Sequence, residues 1–249
     1  MNAPIDPLHA LRHRYQAHLA SVRTFAPSEQ AGREGRREGT VAGRETRRGM
    51  RQAAQWAGLC APAWDEFTQA WVQAPETIMV WSDLHLDHDN IIRYAQRPFG
   101  GAFHMNTQLL ANAQAHVDPD QWLLFVGDLA MWKDQARIAE WMAQCPGRKA
   151  LIIGNHDVRG RECPQRLEDW QALGFDAVAD VAWLPRAHGL PETWITHYPL
   201  PLNVFRGKAI NLHGHTHTNA FGAPWANACV EQNDYRPRPI LELLNPALR

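Results

Sequence analysis

Five short polar clusters carry whatever chemistry this chain performs. In order they are Asp83-Leu84-His85, Gly127-Asp128, Gly154-Asn155-His156-Asp157, His197 and His213-Gly214-His215-Thr216-His217. Their side chains offer carboxylate oxygen, imidazole nitrogen and one carboxamide oxygen, with no cysteine inside any cluster. Such a donor set suits divalent Mn, Fe, Zn or Ni rather than a thiolate-bound structural zinc. Two such ions about 3.5–4 Å apart can clamp the attacking and leaving oxygens of an in-line displacement at phosphorus. A pair of that kind needs a bridging carboxylate. Asp128, freed from helix geometry by the preceding Gly127, is the candidate bridge. Taken singly, each cluster is ordinary: Asp-x-His is usually a loop, Gly-Asp a turn, and a lone strand histidine a structural residue. Their conjunction in this order is what points to a metal centre.

Each cluster follows a short apolar run: 78–81, 122–126, 151–153, 194–196 and 210–212. These runs are β-branched or aromatic and bounded by polar residues or glycine, which favours strands. Strand C-terminal ends meeting along one sheet edge would gather the clusters where open α/β sheets place ligands. Between the runs, helical patterns cover 106–117, 135–143 and 166–173, so strands and helices alternate and the class is α/β. A helix start near Asp89 would make Asp89 and Asn90 caps. His213 is expected to be a structural histidine.

The ordered set resembles the calcineurin-like metallophosphoesterases, whose pattern is D-x-H, G-D, G-N-H-[DE], H and G-H-x-H. The likeness covers roughly residues 76 to 245. It is strongest to the small bacterial and phage predicted phosphoesterases, which share Ser82-Asp-Leu-His-Leu-Asp-His88-Asp-Asn90-Ile-Ile92, Arg97-Pro98-Phe99, His197-Tyr198-Pro199 and Tyr235-Arg236-Pro237. The resemblance implies an αββα sandwich of two facing mixed sheets with flanking helices. It implies two divalent metal ions. Asp83, His85 and His217 would bind the first, Asp128 would bridge, and Asn155, His197 and His215 would complete the second. A metal-held hydroxide would attack a phosphomono- or phosphodiester in line. His156 would face the phosphate and steady the leaving oxygen, with Asp157 behind it fixing its tautomer. A histidine followed by a carboxylate fits that orienting pattern. Substrate contacts are expected from Asn155, His88, Tyr198 and Arg236, the arginine because its planar fork suits oxyanions.

The chain of 249 residues has a formal net charge of −1, unevenly spread. Residues 1–54 hold ten Arg, no Lys and five acids; the rest holds fifteen basic and twenty-one acidic residues. Four cysteines without C-x-x-C spacing suggest no disulfide framework, and no apolar stretch reaches membrane-spanning length, so the expected location is the cytoplasm. Residues 1–75 are expected to form a helical, Arg-rich extension to a catalytic domain at 76–249. In it, 7–25 has helical spacing, 28–49 is a mobile Gly/Arg/Glu linker or an exposed helix, and 51–59 and 62–73 are short helices expected to pack onto the catalytic domain through Trp56, Trp64, Phe67 and Trp71. The basic arm raises a second reading, a nuclease or nucleotide phosphodiesterase, but acids interleave with its arginines and aromatics are missing from 28–49. A third is a non-catalytic binding scaffold of the same fold, against which seven costly polar side chains argue. A lipid-precursor pyrophosphatase would show an apolar membrane-facing stretch, and the sequence has none. The partner expected is a phosphate ester; oligomeric state is not encoded legibly.

Overall fold

A computed structural model describes residues 60–158, 162–200 and 209–248. The expected helices at 7–25 and 51–59, the linker at 28–49 and the basic arm lie outside the described residues. The first element is α1 (Ala61–Gln73), which opens with Pro62 in its first turn, where a missing N–H costs nothing. A short 3-10 turn leads into β1 (Ile78–Trp81). Then follow α2 (Asp89–Tyr94), α3 (Ala102–His116), β2 (Trp122–Phe125), α4 (Gln135–Gln144), β3 (Arg148–Ile152), α5 (Leu167–Ala172) and β4 (Phe175–Ala179). The second half supplies β5 (Val181–Leu184), β6 (Thr193–Thr196), β7 (Ile210–His213), β8 (Trp225–Asn227), β9 (Arg238–Pro239) and α6 (Ile240–Leu244).

The strands form two mixed sheets flanked by helices. The first runs β4-β3-β2-β1-β9, parallel except for β9; the second runs β5-β6-β7-β8, with only β5 antiparallel to its neighbour. Strand alternation sorts the first sheet's side chains into two cores. Ile78, Val80, Trp122, Leu124, Ala150 and Ile152 face the second sheet, where they meet Ile195, Ile210 and Leu212. Met79, Trp81, Leu123, Phe125 and Leu151 face the other way, toward Ile91, Leu109, Ile138 and Trp170 of α2 to α5. Both faces of β1, β2 and the C-terminal half of β3 are therefore buried, which is why these stretches are apolar. α1 and α6 contribute Phe67, Trp71, Ile240 and Leu244 to the layer between the sheets. Phe67 meets the Trp122 ring edge-on at 5.3 Å, and the Trp71 indole donates to the Pro185 carbonyl.

The cluster-bearing strands do not all lie in one sheet. β1, β2 and β3 belong to the first and β6 and β7 to the second. Register aligns their ends: Trp81 pairs with Phe125 and Phe125 with Leu151, while Thr196 pairs with His213. Neither Asp89 nor Asn90 caps α2. The Asp89 carboxylate accepts the Ala102 N–H at the start of α3 instead, and the position before α2 is His88.

Candidate metal centre

The polar clusters occupy the loops that leave β1, β2, β3, β6 and β7. Backbone hydrogen bonds stitch those loops together: Asp83 N–H to the Gly127 carbonyl, His85 N–H to that of Asp128, and Gly214 N–H to that of His197. Packing is tight enough to require the absence of a side chain at Gly127, Gly154 and Gly214. A Cβ on Gly154 would collide with the backbone nitrogen and carboxylate of Asp128; one on Gly214 would strike Ser82 Oγ and Asp83 Oδ2. Asp83, His85, Asp87, Asp128, His215 and His217 all adopt left-handed φ, between 47° and 68°. Each such residue costs on the order of 1 kcal/mol or more, so the surrounding bonds hold the loops against their local preference.

The side chains converge. Atoms of Asp83, His85 and His217 lie within 4.8 Å of one another, as do those of Asp128, His197 and His215. Asp128 Oδ2 stands between the trios, 3.6 Å from His85 Nε2 and 3.4 Å from His197 Nε2. Asn155 Oδ1 lies 3.1 Å from the same His197 nitrogen. All seven residues expected around two ions therefore share one cleft. His156 is there too: its ring nitrogen lies within 4.8 Å of His85 and Asp128 donor atoms, and its ring centre is 4.9 Å from that of His85.

The outer hydrogen bonds set tautomers and leave inner atoms bare. His197 Nδ1 is 2.8 Å from the Val126 carbonyl and His217 Nδ1 is 2.8 Å from Glu231 Oε1. Both acceptors require Nδ1–H, so each Nε2 faces the cleft. Asp83 Oδ2 accepts the Ser82 hydroxyl, the His215 N–H and the Cys229 thiol, whereas Asp83 Oδ1 and both His85 nitrogens are buried without a hydrogen-bond partner. Buried polar atoms without partners are costly. These bare atoms, together with the other inward-facing carboxylate oxygens and imidazole nitrogens 3.4–3.8 Å apart, fit divalent cations, which would satisfy them.

Charge is tuned accordingly. Burial disfavours the ionised form of Asp83 and Asp128, yet the surrounding imidazoles hold both carboxyls below the usual range. Burial likewise opposes charge on His197, but the Asp128 carboxylate beside it raises that group to about 10. Without a metal, a proton is what relieves the facing acceptors. His215 is pushed down to about 3 by burial, chiefly, and then by His197.

The remaining expected residues separate. His88 packs against His85 and His156, at 5.4 and 6.0 Å between ring centres, and burial pushes it down to about 4. The Tyr198 ring lies 4.3 Å from that of His215. Arg236 forms an ion pair with Asp234 at 3.4 Å, a partner that does not belong to the cluster. Asp157 departs from its expected place behind the His156 imidazole: Oδ2 accepts the Asp128 and Gly154 N–H groups and Oδ1 that of Leu129. It is a tie between two loops. His213 is buried at the end of β7, its Nδ1 2.8 Å from the Gly214 carbonyl. Sequence reasoning assigns no role to two further residues of the site. Glu231 holds His217, and the buried Arg97 holds Glu231 through Nε and Nη2 at 2.9 and 2.6 Å. Arg97 sits in a motif shared with the resembled family, but nothing in the sequence around Glu231 marks it.

Comparison with known proteins agrees with this geometry. The family described as calcineurin-like phosphoesterase matches residues 76–240. An uncharacterized protein of Methanocaldococcus jannaschii, MJ1445, is 37% identical over 86 residues, which are 34% of this chain and 49% of that one. The match thus spans about half the length of that relative. The Gene 66 protein of Mycobacterium phage D29 is 28% identical over 170 residues, 59% of this chain and 83% of the phage protein. The crystal structure of AQ665 from Aquifex aeolicus, a protein of unknown function, superposes with a TM-score of 0.51 at 25% identity, covering 64% of this chain and 93% of that one. With the ordered clusters, the two-sheet fold and a match spanning most of the chain, this protein belongs to the calcineurin-like phosphoesterase family.

Proposed function

We propose that the cleft is a two-metal centre and that the protein hydrolyses phosphate esters there. The observation that carries this reading is the placement of Asp128 Oδ2 between imidazole nitrogens of two separate donor trios. Asp83, His85 and His217 would hold one ion, Asn155, His197 and His215 the other, with Asp128 shared. When bound, two divalent ions supply Lewis acidity toward phosphoryl oxygens and toward water. The chain's own residues do the rest. His156 faces the cleft beside His85 and donates a proton to the departing ester oxygen. Asp157 keeps the Gly154 loop against Asp128, so that His156 and Asn155 keep their places. His88 and Tyr198 form the walls on either side of the donor cluster and contact the substrate.

The test is metal titration followed by an assay. Metal-free protein is loaded with Mn, Fe, Zn or Ni and offered phosphomonoesters, linear and cyclic phosphodiesters and oligonucleotides. Two ions per chain and ion-dependent ester hydrolysis are expected, and Asp128→Asn should weaken both binding steps, since a neutral carboxamide replaces the shared charge. Uptake of no ion, with every ester untouched, would instead favour a scaffold that has kept the fold alone.

A further inference from the structure

We propose that Arg97 and Glu231 are positioning residues for one of the two ions only, the one held by Asp83, His85 and His217. The inference rests on the two-metal reading of the cleft and adds an asymmetry to it.

Glu231 lies on a 3-10 turn (Val230–Gln232) that follows β8, far in sequence from the loop after β1. A single oxygen, Oε1, receives His217 Nδ1 at 2.8 Å together with Arg97 Nε and Nη2. Arg97 in turn donates through Nη2 to the Asp83 carbonyl at 2.6 Å and through Nη1 to the Leu84 carbonyl at 2.8 Å. One guanidinium thus fixes the backbone that presents Asp83 and the carboxylate that orients His217. These two ligands face each other, with His217 Nε2 3.7 Å from Asp83 Oδ1. Arg97 and Glu231 side chains are 0% and 2% exposed, so the link is neither screened nor loosened by water.

Among the described residues, no side-chain carboxylate outside the donor set orients a histidine ring of the other trio. His197 is oriented by the Val126 carbonyl, a backbone group that no side-chain substitution removes. His215 is placed by its own N–H on Asp83 Oδ2. Loss of Glu231 should therefore leave the Asn155, His197 and His215 side intact. Groups that orient a metal-bound histidine typically govern affinity by about 10–100-fold.

The experiment is Mn titration of the metal-free full chain, followed by calorimetry and electron paramagnetic resonance. Wild type must first take up two ions in a spin-coupled pair; failure there refutes the two-metal reading rather than this one. Glu231→Gln should then weaken one binding step by about 10–100-fold and leave the other unchanged. At intermediate Mn the coupled signal should give way to that of an isolated ion. Wild-type affinity at both steps, or equal loss of both in a variant that melts like wild type, overturns the proposal. If Glu231→Gln does not fold, Glu231→Asp keeps the buried charge while drawing the carboxylate back from His217, and the same outcomes apply. If neither folds, the decision falls to wild-type protein labelled with 15N-histidine and loaded with zinc. The proton of His217 must then sit on Nδ1, and a proton on Nε2 overturns the proposal.

Discussion

His156 is the residue whose role distance alone does not assign. It lies as close to His85 and Asp128 as an ion's ligand would, yet each of those already belongs to another donor trio. As a proton donor, it should be dispensable for metal. His156→Ala is expected to retain both ions by titration and to lose turnover by about 10²–10⁴, the usual range for a general acid. The loss should shrink for esters with a good leaving group, which depart without a proton. Parallel loss of metal would make His156 a ligand. At this scale the sequence was legible wherever a side chain is followed or preceded by its own functional neighbours. The seven donors stand in recognisable clusters and meet in one cleft. Adjacency in sequence suggests a contact between Asp157 and the His156 ring that the fold does not make. A tight turn sends its carboxylate to three backbone N–H groups instead. Glu231 was invisible because its partners, His217 and Arg97, are 14 and 134 residues away.

At the scale of elements, the chain uses apolar strands to aim and strained loops to present. Sequence periodicity places β1 at its observed bounds and the other cluster-bearing strands within a few residues. Burial on both faces makes β1, β2 and the end of β3 continuously apolar, while β3 starts earlier than expected because Arg148 and Lys149 at its partly exposed end break the run. β4, β5, β8 and β9 are not among the strands the sequence predicts. β9 is two residues long, and β4 carries an exposed Asp176 that interrupts its pattern. The helix expected at 62–73 is α1, and its Phe67 and Trp71 are completely buried in the core that also holds Trp122 and Ile195. Phe67→Ala should consequently destabilise the fold by about 3–5 kcal/mol, the usual cost of truncating a buried aromatic. Denaturant midpoints would show this, while turnover per folded molecule should hold, since Phe67 packs against Trp64 and Trp122 rather than the donor cluster. A cost below about 1 kcal/mol would mean that the helix is only loosely docked.

For the whole molecule, the metal centre predicts how stability follows pH. Burial holds His88 and His213 down to about 4 and His215 to about 3, so only the unfolded chain takes up these protons below its pKa of about 6.5. Stability is therefore lost as pH falls from about 6.5 toward 4. Asp157 opposes this: burial, with Asp128 beside it, raises it to about 7, and its contribution fades as pH rises toward that value. It is one proton against three. His197, raised to about 10 by Asp128 in spite of its burial, contributes fully below about 6.5 and loses that contribution as pH rises through 10. Metal-free protein should thus be most stable near pH 6.5–7, with urea midpoints falling on both sides. A bound ion, replacing the proton on His197, should remove the alkaline decline. Midpoints of metal-free protein that rise steadily to pH 10 would show that His197 carries no proton in the fold. The sequence by itself determined the donor types, their order and the strands that carry them, because those depend on residue identity and local periodicity. Only the tertiary structure decided that the strands divide between two sheets, that Asp128 stands between two trios, and that Arg97 and Glu231 brace one of them. Those facts arise from contacts between distant segments, and no local pattern records them.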